Sequence, residues 1–144
     1  EVVGPQSLTI RSSMIGRELD YYTELLEWFL SQKGNTVNGF TNAIYSGITT
    51  FKMAKYIKHI INNYPALSGL YNVSSIPISK YKLLKLLNIK FDNNVEIIEE
   101  PSYISKKDLV SNKFFSKLGI IQPEWKELLN ELKEDSTLNI EYYK

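Results

Sequence analysis

Cysteine is absent from this chain of 144 residues, which excludes disulfides, thiolate nucleophiles and Cys-based metal sites. Histidine occurs once, at His59, too few imidazoles for a zinc site or for a convincing Ser/His/Asp set. The seven glycines are scattered and never form G-x-G-x-x-G or a phosphate-binding loop; G-x-S-x-G and H-E-x-x-H are also missing. No run of about 18 apolar residues occurs, so nothing in the sequence reads as a membrane-spanning helix. The opening residues, EVVGPQS, lack the basic and apolar regions of a signal peptide. A net charge of +1 gives no reason to expect a nucleic-acid partner or an anionic membrane surface. The expected location is the cytoplasm. Arginine stands only at positions 11 and 17, while Ile, Asn and Lys are abundant, a bias that fits an AT-rich bacterial genome.

What is present suffices for one domain with a real core: 43% hydrophobic and 23% charged residues. The stretch Ser7 to Gly16, SLTIRSSMIG, organises the rest. Leu8-x-Ile10 carries a strand, and Arg11-Ser12-Ser13 with Met14-Ile15-Gly16 reads as its exit at a functional edge. There, small hydroxyl residues and a glycine bring backbone close to a ligand. A chain that opens on a core strand without an initiator Met is expected to be part of a longer polypeptide.

Beyond Gly16 the pattern predicts alternating helices and short strands. A helix runs from a cap at Asp20 to about Lys33, with Tyr22, Leu25, Leu26, Phe29 and Leu30 on its apolar face. Thr36 to Phe40 is β-prone. Thr41 to Thr50 reads as a loop with a short strand around Ile44. Thr49 or Thr50 caps a helix to about Asn63, whose buried stripe is Phe51, Ala54, Ile57 (or the stem of Lys58) and Ile61. Gly69 to Val73 is a strand, Ser79 caps a helix to about Leu87 with Leu83, Leu84 and Leu87 inward, and Val95 to Glu99 is another strand. Ser111 caps a short helix carrying Phe114, Phe115 and Leu118, closed by Gly119. Gln122-Pro123 opens a last helix with Trp125, Leu128, Leu129 and Leu132 inward and a frayed tail after Asp135. The class is α/β with an incomplete parallel sheet.

Few residues announce chemistry. Tyr81/Lys85 and Tyr103/Lys107 match Tyr-x-x-x-Lys, in which an ammonium one helical turn away lowers a phenol pKa. With ten tyrosines and many lysines, chance accounts for such spacing. His59 reads as structural, and Glu96, Glu99 and Glu100 as the wet face of a strand. Lys80, Lys82 and Lys85 read as the wet face of a helix, with phosphate contact as the sharper alternative. The loop Thr41 to Thr50 places Asn42, Tyr45, Ser46, Thr49 and Thr50 around Gly47, a set that can line a polyhydroxylated ligand or simply build a turn.

Taken in order, four segments resemble the C-terminal part of extended short-chain dehydrogenase/reductases acting on nucleotide sugars, in particular the dTDP-4-dehydrorhamnose reductase-like group. They are LTIRSSMIG, SGITTFKMAKYIKHII, GLYNVSSIPISKYKLLKLL and LVSNKFFSKLGIIQPEWKELLNEL, together covering Leu8 to about Leu132. LTIRSSMIG resembles the family's last-but-one Rossmann strand and its exit toward the sugar nucleotide. SGITTFKMAKYIKHII resembles the G-x-P-T strand, loop and helix. GLYNVSSIPISKYKLLKLL is similar to the last Rossmann strand with its turn and helix, and the remaining segment to the family ending around P-x-W. Met14 and Gly16 stand where the family's exit has Trp and Tyr, Ile48 replaces the Pro of G-x-P-T, and Val110 replaces an Asp.

The resemblance implies an NAD(P)-binding Rossmann-type fold of which this chain is the substrate-binding portion. The family's Gly-rich loop and catalytic Tyr-x-x-x-Lys lie upstream of its equivalent of Leu8. The resemblance therefore implies no redox activity for this chain alone, NAD(P) only in a full-length protein, and a missing N-terminal dinucleotide-binding half as partner. It implies a nucleotide-diphosphate sugar, with a dTDP or UDP carrier, as ligand and cell-surface polysaccharide synthesis as the setting. The residues implied at the sugar nucleotide are Ser12, Ser13, Met14 and Arg17 of the exit and Tyr45, Ser46 and Thr49 of the loop, with Asn72 to Ser75 as a further segment of the pocket. Arg17 suits bidentate contact with a diphosphate, or else a surface ion pair. A non-catalytic interaction or regulatory module on the same fold is the alternative. Because two strand edges of the family's sheet would be left uncovered, the chain is expected to pair with a second copy. Light scattering checks this: a stable monomer without self-association contradicts it.

Overall fold

The computed structural model describes Gly4, residues 6–18, Tyr21 and residues 23–138. The alternating apolar run forms β1 (Leu8–Arg11), and after Ser12 and Ser13 the chain re-enters a sheet as β2 (Met14–Ile15). There follow α1 (Leu25–Ser31), β3 (Thr36–Phe40), β4 (Ala43–Tyr45), β5 (Ile48–Thr49) and α2 (Thr50–Asn63). The second half is β6 (Gly69–Asn72), β7 (Ile78–Ser79), α3 (Lys80–Phe91), β8 (Glu96–Glu100), β9 (Ser105–Lys107), α4 (Asn112–Leu118) and α5 (Trp125–Leu138). The strands pair mostly in parallel, β1 with β6, β2 with β5, β3 with β8 and β4 with β9, while β7 lies antiparallel to β4. The expected α/β class with small parallel sheets is what the chain adopts.

Helix boundaries follow their caps. Thr49 Oγ1 accepts from Lys52 N (3.2 Å) and Ser79 Oγ from Lys82 N (3.3 Å), fixing the starts of α2 and α3. The left-handed Asp92 ends α3, four residues later than its sequence pattern suggests, and Gly119, at φ 64°, ends α4. α1 starts later than expected. Glu18 explains this, since its carboxylate accepts from Thr23 N (2.9 Å) and Glu24 N (2.5 Å), the amides just ahead of the first helical turn. Asp20 and Tyr22 lie outside the described residues. α5 begins two residues after Pro123 and continues past Asp135 to Leu138.

The core joins Leu83, Leu84 and Leu87 of α3 to Leu128, Leu129 and Leu132 of α5, with Leu26 and Phe29 of α1 on the same cluster. Phe114 meets Phe115, Tyr56 and Tyr71 edge-on at 5.3–6.2 Å between ring centroids. The predicted stripe of α2 is corrected here. The buried residues are Met53, Tyr56 and Ile60, whereas Ala54 is exposed and Ile57 and Ile61 are 44% and 66% exposed. Both stripes have helical spacing. The ring cluster on Phe114 and Phe115 draws Tyr56 inward and turns the aliphatic stripe out.

Side chains tie the loops at the carboxyl ends of the strands. Ser46 Oγ accepts from Leu109 N (2.8 Å) and Ser46 O from Ser75 N (2.9 Å). Ser74 and Ser111 share a hydrogen bond of 2.8 Å, Gln122 Nε2 donates to Ser75 O (2.7 Å), and Trp125 Nε1 donates to Ile76 O (2.9 Å).

The outer edge of β1 pairs with no strand among the described residues. Gly69 N donates to Ser7 O (2.8 Å) and Val73 N to Arg11 O (2.9 Å), so Ser7, Thr9 and Arg11 address β6. The strand's two-residue period then turns the backbone groups of Leu8 and Ile10 to the opposite side, where no strand pairs with them among the described residues. On the far side of β6, Lys113 Nζ caps Leu70 O (3.0 Å).

The buried Tyr56 generates a pH dependence. Burial, with the carboxylates of Glu127 and Glu131 adding to it against Lys52, pushes its phenol up to about 12. The folded state therefore holds this proton more tightly than the unfolded chain, whose tyrosines ionise near 10. The associated stability is complete below about pH 10 and is lost as pH rises through about 12. Urea midpoints of the wild type should fall more steeply than those of Tyr56→Phe across that window, and superimposable profiles would contradict the assignment.

Candidate functional site

β2 is positioned by its parallel partner β5, with Met14 opposite Ile48 and Ile48 N donating to Ser13 O (2.9 Å). Gly16 lets this exit pass α2, since a Cβ there would overlap the Thr50 side chain. Tyr45 ends β4 between Ile78 of β7 and Lys107 of β9. Its ring packs on Trp125 at 5.7 Å between centroids and lies over Gly47, where any Cβ would overlap the phenol oxygen.

These elements enclose a cavity of about 340 Å³. Its walls include Ser13, Met14 and Arg17 from the strand exit, Tyr45 from β4, and Glu24 and Leu25 at the start of α1. Lys80, the first residue of α3, and Lys107 complete it. Four of the seven expected site residues thus converge. Ser12 turns away, its hydroxyl donating to Val73 O (2.8 Å), and lines a separate recess of about 220 Å³ with Ile10, Met14, Met53 and Ile57. Ser46 and Thr49 are buried in structural hydrogen bonds and do not line the cavity.

Burial raises the Tyr45 phenol above its ordinary range, nearby Glu24 adds to the effect, and the hydrogen bond with the Ser13 side chain works against it. The shift makes the Tyr45 phenol still less prone to ionise than an ordinary tyrosine. Arg17 pairs through Nε with the buried carboxylate of Glu27, which also accepts from Glu18 N (3.4 Å). Sequence reading missed Glu27, Glu24 and Lys107 at this site, and offered Lys80 only as the wet face of its helix or, alternatively, a phosphate contact. Glu27 sits among the apolar residues of α1, and Lys107 reaches the cavity through a three-residue strand with no pattern of its own.

The other candidate groups lie elsewhere. Lys85 stacks on the Tyr81 ring (4.9 Å to the centroid), and Tyr103 packs on Phe40 (5.0 Å between centroids) outside any helix. His59 contacts Asn63 and Tyr64. Among the described residues, no cluster of acidic or His side chains could hold a metal. A dinucleotide does not fit the strand-to-helix turns seen here. At both β5–α2 and β7–α3 a hydroxyl cap occupies the helix N-terminus, and no glycine opens the turn to a pyrophosphate.

No family model matches the chain, and no curated protein sequence matches it significantly. Solved structures do. A dTDP-4-dehydrorhamnose reductase from Bacillus anthracis, in complex with NADP, is similar over 91% of this chain and 49% of its own, with a TM-score of 0.74 and 16% identity. The chain shares its fold with dTDP-4-dehydrorhamnose reductases. The reductase from Yersinia enterocolitica is similar over 95% of this chain and 50% of its own (TM-score 0.65, 16% identity). UDP-N-acetylglucosamine 4-epimerase from Bacillus cereus is similar over 89% and 47% (TM-score 0.67, 16% identity). The chain spans about half the length of the solved structures it matches. It thus has a Rossmann-type fold, the one also seen in nucleotide-sugar reductases and epimerases.

Within this reductase-like fold, the Arg17–Glu27 pair makes a prediction of its own. Arg17→Ala leaves a carboxylate that is 7% exposed without its cation, which should cost about 3 kcal/mol. Arg17→Met combined with Glu27→Leu should recover most of that loss. Denaturant titration reads both, and a wild-type midpoint for Arg17→Ala would show that the pair carries no stability.

Proposed function

We infer that this chain is the sugar-nucleotide-binding portion of an NAD(P)-dependent nucleotide-sugar reductase or epimerase of cell-surface polysaccharide synthesis, and that it carries out no redox chemistry alone. The observation that carries the reading is the convergence of Ser13, Met14, Arg17 and Tyr45 on one cavity in a fold that nucleotide-sugar enzymes share. The Ser13 and Tyr45 hydroxyls suit sugar hydroxyls, the exposed Met14 side chain offers an apolar wall to a ring face, and Arg17, braced by Glu27, fixes the exit loop.

The dinucleotide belongs to a second half of the fold. The open edge of β1, flanked by the recess of Ile10, Met14 and Ile57, is where that half adds its neighbouring strand. The half-length coverage of structures such as the NADP-bound reductase supports this arrangement.

Thermal melting with a dTDP- or UDP-sugar tests the binding claim. At ten times its dissociation constant such a ligand should raise Tm by about 3 °C. Tyr45→Ala should abolish the rise. No shift with either sugar nucleotide would overturn the assignment and favour a non-catalytic interaction module, and an unaltered shift in the variant would overturn the placing of the ligand at Tyr45.

A further inference from the structure

Two cavities meet at Lys80. The one described above shares Lys80, Glu24 and Leu25 with a second of about 290 Å³, walled by Trp28, Asn38 and Phe40. One chamber presents hydroxyls and the other presents flat aromatic surfaces of the kind a base stacks on. We propose that Lys80, at their junction, is the phosphate anchor for a nucleoside diphosphate group; this rests on the sugar-nucleotide reading of the cavity.

The surroundings of the other lysines set Lys80 apart. Lys52, whose side chain is 13% exposed, sits 2.5 Å from Glu127 and 3.2 Å from Glu131. Lys90 bonds to Asn130 Oδ1 (2.6 Å) and Lys113 to Leu70 O. Lys82 and Lys85 are exposed, as the wet face of α3 should be. Lys80 is half-buried on the first turn of the same helix, and no ion pair or hydrogen bond joins its ammonium to another described residue. Arg17, by contrast, is committed to Glu27.

A partly desolvated cation that pairs with no carboxylate among the described residues gains most from an anion delivered between the two chambers. Glu24, the carboxylate at the same junction, is exposed and solvated. Lys107, beside Tyr45 across the β4–β9 register, supplies a second positive charge to the polar chamber.

Calorimetric titration of the chain with thymidine 5′-diphosphate, thymidine and pyrophosphate tests this, using the wild type, Lys80→Gln and Lys82→Gln. The diphosphate should bind at least about tenfold tighter than the nucleoside, and Lys80→Gln should remove most of that advantage while leaving thymidine affinity and the melting temperature unchanged. Lys82→Gln should change neither. Wild-type affinity for the diphosphate in Lys80→Gln overturns the anchor while leaving the cavity reading intact. Pyrophosphate binding as tightly as the nucleotide marks an anion site unconnected to a nucleoside and also overturns it. No binding to the wild type of this diphosphate, or of uridine 5′-diphosphate in the same titration, overturns both readings together.

Discussion

Ser46 accepts one backbone hydrogen bond through its hydroxyl and another through its carbonyl, and so ties Leu109 and Ser75 to the end of β4. Through Ser75 and Ser74 the same network reaches Gln122, Ser111 and the start of α5. Four chain segments far apart in sequence are thereby locked at the carboxyl ends of the strands, in a region where unpaired buried polar groups would be costly. Tyr45 precedes Ser46 directly. With Trp125 on its ring and Gly47 beneath its hydroxyl, its position is a consequence of that network, and the cavity is shaped around it.

The signals most legible in the sequence were local ones. Thr49, Ser79 and Gly119 mark helix ends through chemistry confined to one turn, and Leu83, Leu84 and Leu87 are buried as their spacing requires. The strand around Ile44 was also visible. What the sequence could not show depended on distant partners. β5, β7 and β9 are two or three residues long and exist because β2 and β4 lie beside them. The roles of Ser46 and Thr49 were ambiguous for the same reason: a hydroxyl in a turn has one composition whether it faces a ligand or a backbone amide. Only the positions of Leu109 N and Lys52 N decide between the two.

In the proposed reading the cavity serves recognition. A phenol that burial makes still less prone to ionise, a serine hydroxyl, a guanidinium already paired and two lysines give donors and positive charge; the carboxylates Glu18 and Glu24 complete the lining. The Glu18 carboxylate is turned onto the amides of Thr23 and Glu24. If the proposed function holds, the cavity's fixed groups orient a substrate for chemistry supplied from the facing side.

The aliphatic stripe of α2 gains its meaning from this division of labour. A helix with one apolar face packs on one core, whereas α2 has two: Met53, Tyr56 and Ile60 inward, and Ile57 with Ile61 outward. The outward face, through Ile57, shares a recess with Ile10 and Met14, next to the backbone groups of β1 that address no strand among the described residues. An apolar surface beside an unpaired parallel strand edge is stable in water only if something covers it. In the proposed reading the dinucleotide-binding half does so, pairing along β1 and packing on Ile57. The periodicity that misplaced the core of α2 is then a true amphipathic signal for a second interface.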